Sequence, residues 1–252
     1  MNLRSVALSL VLTCTAATAL AADANSFILT RAGKQVGKAS YTIDKAKDGS
    51  FHGKARFEYR LASAMSLNTT TGADNTGNQI TEGQYTFDYK ADPAGRFLSG
   101  YLQNMATQTI LSFQPDKART TVTIGEAQGG STQSKSLTMP LPDYLVTPDY
   151  DPSAIQVFLT AALAHPHEDS KYALVIPGNG RTLTSFIYVA LKPATDANGT
   201  LDGKPVTLKH YQLQFYKGMG DLYTDADGTL MQADIPTLSA SYTRVKFALA
   251  TQ

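Results

Sequence analysis

Apolar and polar residues alternate with a period of two through most of the chain from residue 22 onward, the pattern of strands with one wetted face. In Phe51 to Tyr59 the odd positions carry Phe51, Gly53, Ala55, Phe57 and Tyr59, and the even ones His52, Lys54, Arg56 and Glu58. In Thr81 to Lys90, Tyr85, Phe87 and Tyr89 share one face, opposite Glu82, Gln84, Thr86, Asp88 and Lys90. Such patterning predicts antiparallel sheets covered on one side. Turn chemistry separates the runs at Ala32-Gly33-Lys34, Asp48-Gly49, Asp92-Pro93-Ala94-Gly95, Gly178-Asn179-Gly180, Asp202-Gly203 and Asp227-Gly228, where hairpins are expected.

One segment departs from this period. Asp151-Pro152-Ser153 offers a cap followed by proline at the first helical position. Ile155, Phe158, Leu159, Ala162 and Leu163 then recur at three- and four-residue spacing, and His165-Pro166 ends the run. A single helix is predicted over 152–165. Leu183 to Leu191 is apolar on both faces, which predicts a central strand covered by that helix. The Pro-rich stretch Met139 to Pro148 is the one plausible linker, but the part after it is too short for an independent domain. The expected fold is mainly β: one strongly curved antiparallel sheet, a half-barrel or open barrel, with one covering helix. It occupies residues 22–252 as a single domain.

The first twenty-one residues read differently. Met1-Asn2-Leu3-Arg4 is a short positive segment, Val6 to Leu20 carries no charge, and Ala19-Leu20-Ala21 is a small-x-small cleavage site. This is the three-part pattern of a secretory signal. It predicts a chain that begins at Ala22 and works in the periplasm or outside the cell. An uncleaved anchor would need a longer apolar run. Lipoprotein processing at Cys14 would need a small residue where Thr13 stands.

Composition sharpens the expectation. The single cysteine, Cys14, lies inside the signal, so the exported domain must rest on packing rather than disulfides and has no thiol chemistry. The chain has 22 Lys+Arg against 21 Asp+Glu, and loss of Arg4 evens the balance. No basic face for nucleic acid and no polybasic stretch for anionic lipid stands out. No other apolar run approaches a membrane span.

Candidate chemistry is sparse, and no cofactor is expected. His165-Pro166-His167-Glu168-Asp169 is the densest group of potential ligands. His165 and His167 could grip a metal with carboxylate help, although polar residues just past a helix are common terminators. Asp225-Ala226-Asp227-Gly228 has the look of a calcium loop with the wrong spacing, since Tyr223 would be its first ligand and Asp234 its last. A hairpin turn fits it better. No Gly-x-Ser-x-Gly elbow, Ser-x-x-Lys pair or glycine-rich phosphate loop occurs. The aromatic content is the remaining clue: 13 Tyr, 10 Phe and no Trp. Tyr85, Phe87 and Tyr89 make one stripe, and Tyr211, Leu213 and Phe215 another. They are ordinary sheet core or the wall of an apolar cavity, which tyrosine suits because its ring is apolar and its hydroxyl polar.

The order of parts resembles a family of uncharacterised exported proteins of Gram-negative envelopes. The resemblance lies in the early Arg31-Ala32-Gly33-Lys34-Gln35-Val36-Gly37 hairpin, the Asp-Pro-led helix, Tyr172 to Pro177, and the closing Asp227-Gly228-Thr229-Leu230-Met231 hairpin. These motifs are turn chemistry, and they bring no catalytic residues. What the resemblance implies is a half-barrel, loosely like the periplasmic lipoprotein carriers, and by analogy a lipophilic ligand. Three functions follow as expectations. The first is a binding or carrier module for a lipophilic molecule or acylated partner. The second is a structural or interaction protein of the envelope. The third is a hydrolase or metalloenzyme built on His165 and His167.

Overall fold

The computed structural model describes residues 25–62, 80–105, 108–147, 151–164, 172–176, 185–215, 218–236 and 240–250. The expected signal segment, the His165–Asp169 group and the turn expected at 178–180 lie outside the described residues.

The strands are β1 (Ser26–Arg31), β2 (Lys34–Lys45), β3 (Phe51–Ala62), β4 (Ile80–Ala91), β5 (Phe97–Asn104), β6 (Thr109–Pro115), β7 (Thr121–Gln128), β8 (Ser131–Thr138) and β9 (Tyr144–Val146). The helix α1 (Pro152–Ala164) follows. Then come β10 (Tyr172–Ile176), β11 (Ser185–Pro193), β12 (Ala197–Leu201), β13 (Lys204–Phe215), β14 (Gly218–Thr224), β15 (Leu230–Ile235), β16 (Ala240–Arg244) and β17 (Phe247–Leu249).

All seventeen strands join one hydrogen-bonded sheet. From one edge it runs β8 through β2 to β1, crosses to β16, and continues through β15, β14, β13, β11 and β10 to β9. Every pair in that path is antiparallel except β9–β10. The sheet curls until β9, buried throughout, packs near β5. Among the described residues β8 and β9 do not pair, so the barrel is open at this seam.

The alternation read from the sequence is the alternation of the fold. Phe51, Gly53, Ala55 and Phe57 are buried on β3 and Tyr59 partly so, while Lys54 and Arg56 face solvent. The expected turns that fall within the described residues are present. Ala32-Gly33 and Asp202-Gly203 close two-residue hairpins with φ of 47° and 73°, and 52° and 75°, the two positive values that a primed turn requires. The Asp225 carboxylate accepts hydrogen bonds from the amides of Asp227 and Thr229, so the Asp225–Gly228 segment is a hairpin turn. No group of three metal-ligating side chains occurs among the described residues.

The helix begins as its sequence predicts. Asp151 caps it through Oδ1, which accepts from the Ser153 amide at 2.9 Å. Its packing is less expected. A covering helix has one apolar stripe, but Ala154, Ile155, Val157, Phe158, Leu159 and Ala161 are all buried. They cover a broad arc of the helix, and only a narrow edge, with Gln156 and Thr160 partly covered and Leu163 exposed, is left outside the core, so the helix is sunk deep into the concave face. Its side chains share one core with Phe27, Phe57, Phe87, Tyr89, Leu213, Leu222 and Tyr242 from the concave face of the sheet. The helix is therefore a plug within the curl. Its main neighbours are β2, β3 and β9. β11 is an inner strand between β10 and β13, as Leu183–Leu191 predicts, and of its described side chains Val189 is buried in the core that the helix shares and Leu191 partly so. A second, smaller cluster of Ala197, Leu208, Tyr223, Met231 and Phe247 forms where β12 and β17 fold beside β13.

Glycine makes room for the plug at one point. Gly53 pairs directly with Tyr89, and a Cβ at Gly53 would overlap the Tyr89 ring. That ring lies across the glycine and sends its hydroxyl to Ser153 Oγ at 3.2 Å. Gly53→Ala is expected to push the ring off its seat and destabilise the fold by about 1–3 kcal/mol. Urea unfolding of the variant measures this, and an unchanged midpoint would refute the tight seat.

Candidate functional site

The concave face is the one surface on which the sheet and the helix meet, and its two ends differ. At one end the helix is locked into the sheet. Gln156 Oε1 accepts from the Leu230 amide at 2.6 Å and from the Tyr41 hydroxyl at 3.3 Å. Gln156 Nε2 donates to the Gly228 carbonyl at 2.9 Å and to Thr160 Oγ1 at 3.2 Å. One side chain so ties the helix to β2 and to the β14–β15 turn. Burial holds the Tyr41 hydroxyl firmly protonated.

Asp151 stands at the same end. Its Oδ1 is engaged by Ser153, but Oδ2 is buried and makes no hydrogen bond. Burial raises its pKa from 3.8 to about 6, against the lowering effect of its bonds from Ser153 and Ala154. Arg119 ties the start of β5 to the segment before β9. Its guanidinium donates to the carbonyls of Phe97 and Pro142 and lies 4.9 Å from the Tyr144 ring centre.

Toward the other end, aromatic side chains of β3 and β4 continue the face. Phe57 and Tyr85 stack with centroids 5.3 Å apart, and Tyr85 and Tyr59 with centroids 5.5 Å apart. The Tyr59 hydroxyl donates to that of Tyr85 at 3.2 Å. Phe57 is buried, whereas Tyr59 and Tyr85 are only partly covered.

The six residues predicted for a cavity wall divide along this axis. Phe87 and Tyr89 are each 1% exposed and stack on one another at 5.0 Å within the core. Leu213 is equally buried. Tyr85 and Tyr211 are partly exposed at the edge of that core. Phe215 pairs through its backbone with Val189 and Gly218, and its side chain lies outside the described residues. The stripe is thus floor at Phe87 and Tyr89 and rim at Tyr85. Tyr59 joins the rim. It stood in the alternation of β3 without distinction, and only the pairing of β3 with β4 brings it against Tyr85.

Two histidines sit in carboxylate pairs across strands. His52 Nε2 lies 2.9 Å from Asp88, and His210 Nε2 lies 2.8 Å from Asp221 with its ring on Tyr223. No third metal-ligating side chain accompanies either pair among the described residues.

No family model matches the chain, and no curated protein is similar to it in sequence. Two solved structures are similar in shape. One is a DUF1089 family protein from Pseudomonas aeruginosa, 10% identical, with 77% of this chain and 87% of that one covered at a TM-score of 0.40. The other is a β-barrel-like protein of domain of unknown function DUF1849 from Brucella abortus, 10% identical, with 90% and 96% covered at a TM-score of 0.48. The chain is a mainly β protein, one large antiparallel sheet with a single helix among the described residues, similar in structure to these proteins of unknown function from Gram-negative bacteria.

Proposed function

We propose that the protein is an exported binding or carrier module for an apolar small molecule or acylated partner, acting in the periplasm or outside the cell. The observation that supports this most is the Phe57–Tyr85–Tyr59 stack. It continues the concave face along β3 and β4, and its two tyrosines are partly exposed where they pack against the edge of the core. Stacked phenol rings offer a flat apolar surface, and their hydroxyls suit a ligand with one polar end.

Titration with the neutral fluorescent probe N-phenyl-1-naphthylamine tests the reading. Saturable binding is expected, weakened about tenfold in Tyr85→Ala, the scale of losing a central aromatic contact. The thermal midpoint should shift little, since Tyr85 lies at the core's edge. Probe fluorescence that never saturates would refute the proposal.

The edge strand β8 favours a second reading, an interaction protein of the envelope. All of its residues but Leu137 are exposed, and among the described residues it pairs with β7 alone. Such an edge can accept a strand from another chain. Crosslinking through Lys135 that recovers only monomer counts against this reading.

A further inference from the structure

The ligand-binding reading leaves open what the ligand's polar end is, and a buried charge on the concave face bears on that. β1 sends Phe27, Leu29 and Arg31 to this face in alternate positions, and Arg31 is only 6% exposed. Among the described residues Arg31 and Asp151 are the two buried charged side chains. They belong to opposite ends of the curl. The helix start that carries Asp151 is tied to Tyr41, whose amide bonds to Asn25 just before β1 begins. Arg31 is the last residue of that strand.

Register places Arg31 near the tyrosines. Leu29 pairs with Gly37, and Gly37 with Tyr59. Arg31 follows Leu29 on the same face, so it stands one side-chain layer beyond the level of Tyr59. Gly37 keeps the intervening strand low, because a Cβ there would strike the backbone of Glu58 and Tyr59. A permanent cation and a partly exposed aromatic surface thus share one end of one concave face.

A guanidinium taken out of water is costly, and an apolar side chain would pack that position without the penalty. Its fork of five donors matches a carboxylate or phosphate. Arg31 already engages the protein, and five donors allow it to hold an anion as well.

Resting on the binding reading above, we propose that Arg31 receives the anionic head, carboxylate or phosphate, of an amphiphile whose apolar chain lies along the Phe57–Tyr85–Tyr59 stack. Head-group recognition then sets specificity, and the tyrosines supply sequence-tolerant apolar area.

The test is displacement of N-phenyl-1-naphthylamine from the exported chain by oleate, oleyl phosphate and oleyl alcohol, each below its micelle concentration. At least one anion should bind about tenfold more tightly than the alcohol, as a charge-assisted hydrogen bond provides. The tighter of the two anions identifies the head. In Arg31→Gln the anion should fall to the level of the alcohol, whose own affinity stays unchanged, and Arg31→Lys should keep part of the preference. Equal binding of alcohol and both anions by the wild type overturns the role of Arg31 and leaves the apolar site standing. Failure of all three to bind overturns both. The wild-type comparison decides the matter by itself if Arg31→Gln does not fold.

Discussion

Asp151→Asn is expected to be more stable than the wild type at neutral pH, by up to about 3 kcal/mol. The carboxyl's pKa is about 6 in the folded chain against an ordinary 3.8, because burial disfavours its charge. A raised carboxyl pKa means that the folded state keeps the proton longer than the unfolded one. The group therefore favours folding fully below pH ~4. That contribution declines as pH rises toward 6, and above it the folded state carries a buried charge. Asparagine stays neutral throughout and keeps the oxygen that accepts from the Ser153 amide and hydroxyl, so the helix cap survives. Its amide group would occupy the position of Oδ2, which makes no hydrogen bond, and the cost of a buried donor trims the gain. Urea unfolding at several pH values between 4 and 8 measures the effect. The wild type should lose stability across this range and the variant should not. Parallel curves for the two proteins would show that Asp151 is not the group responsible.

Gln156→Leu is expected to cost about 3 kcal/mol, although leucine is apolar and similar in volume. The Leu230 amide and the Gly228 carbonyl would both lose their partner. Leu230 is fully buried, so its amide has no water to turn to. Gln156→Glu separates geometry from packing. A carboxylate still accepts from the Leu230 amide and Tyr41 but cannot donate to the Gly228 carbonyl, so this variant should also be destabilised at neutral pH. Thermal unfolding reads both changes. A Gln156→Leu protein as stable as the wild type would mean that the helix is held by its apolar contacts alone.

These two residues also mark how far the sequence could be read. Strand alternation, the turns and the helix start were legible because each is local chemistry. Period two placed Phe57 and Phe87 on the inner face, paired positive-φ turns announced the hairpins, and Asp151-Pro152-Ser153 announced the cap. The plugged interior was not legible, because the three- and four-residue spacing of Ile155, Phe158 and Leu159 suits a helix lying on a sheet as well as one inside it. The extra apolar positions Ala154, Val157 and Ala161 carried the difference, and small residues register weakly in a pattern. Gln156, polar amid this apolar run, was the visible anomaly, but its partners at Gly228 and Leu230 lie more than seventy residues away.

The candidate site divided in the same manner. Alternation put Tyr85, Phe87 and Tyr89 on one face, yet it could not separate floor from rim. That distinction comes from long-range contacts: Tyr89 bonds to Ser153 of the helix and is core, while Tyr85 stacks against Tyr59 at the core's edge. Arg31 entered the sequence reading as part of a turn motif. Its burial depends on the curl that brings β1 between β2 and β16, a long-range pairing with no local signature.

The most direct measurement is native mass spectrometry of the protein purified without detergent. A ligand-binding barrel predicts a second mass at about one equivalent, released on unfolding and identified in the organic extract as an apolar or amphipathic molecule. A bare protein mass in every preparation, together with no saturable uptake of added oleate or oleyl alcohol, would contradict the account.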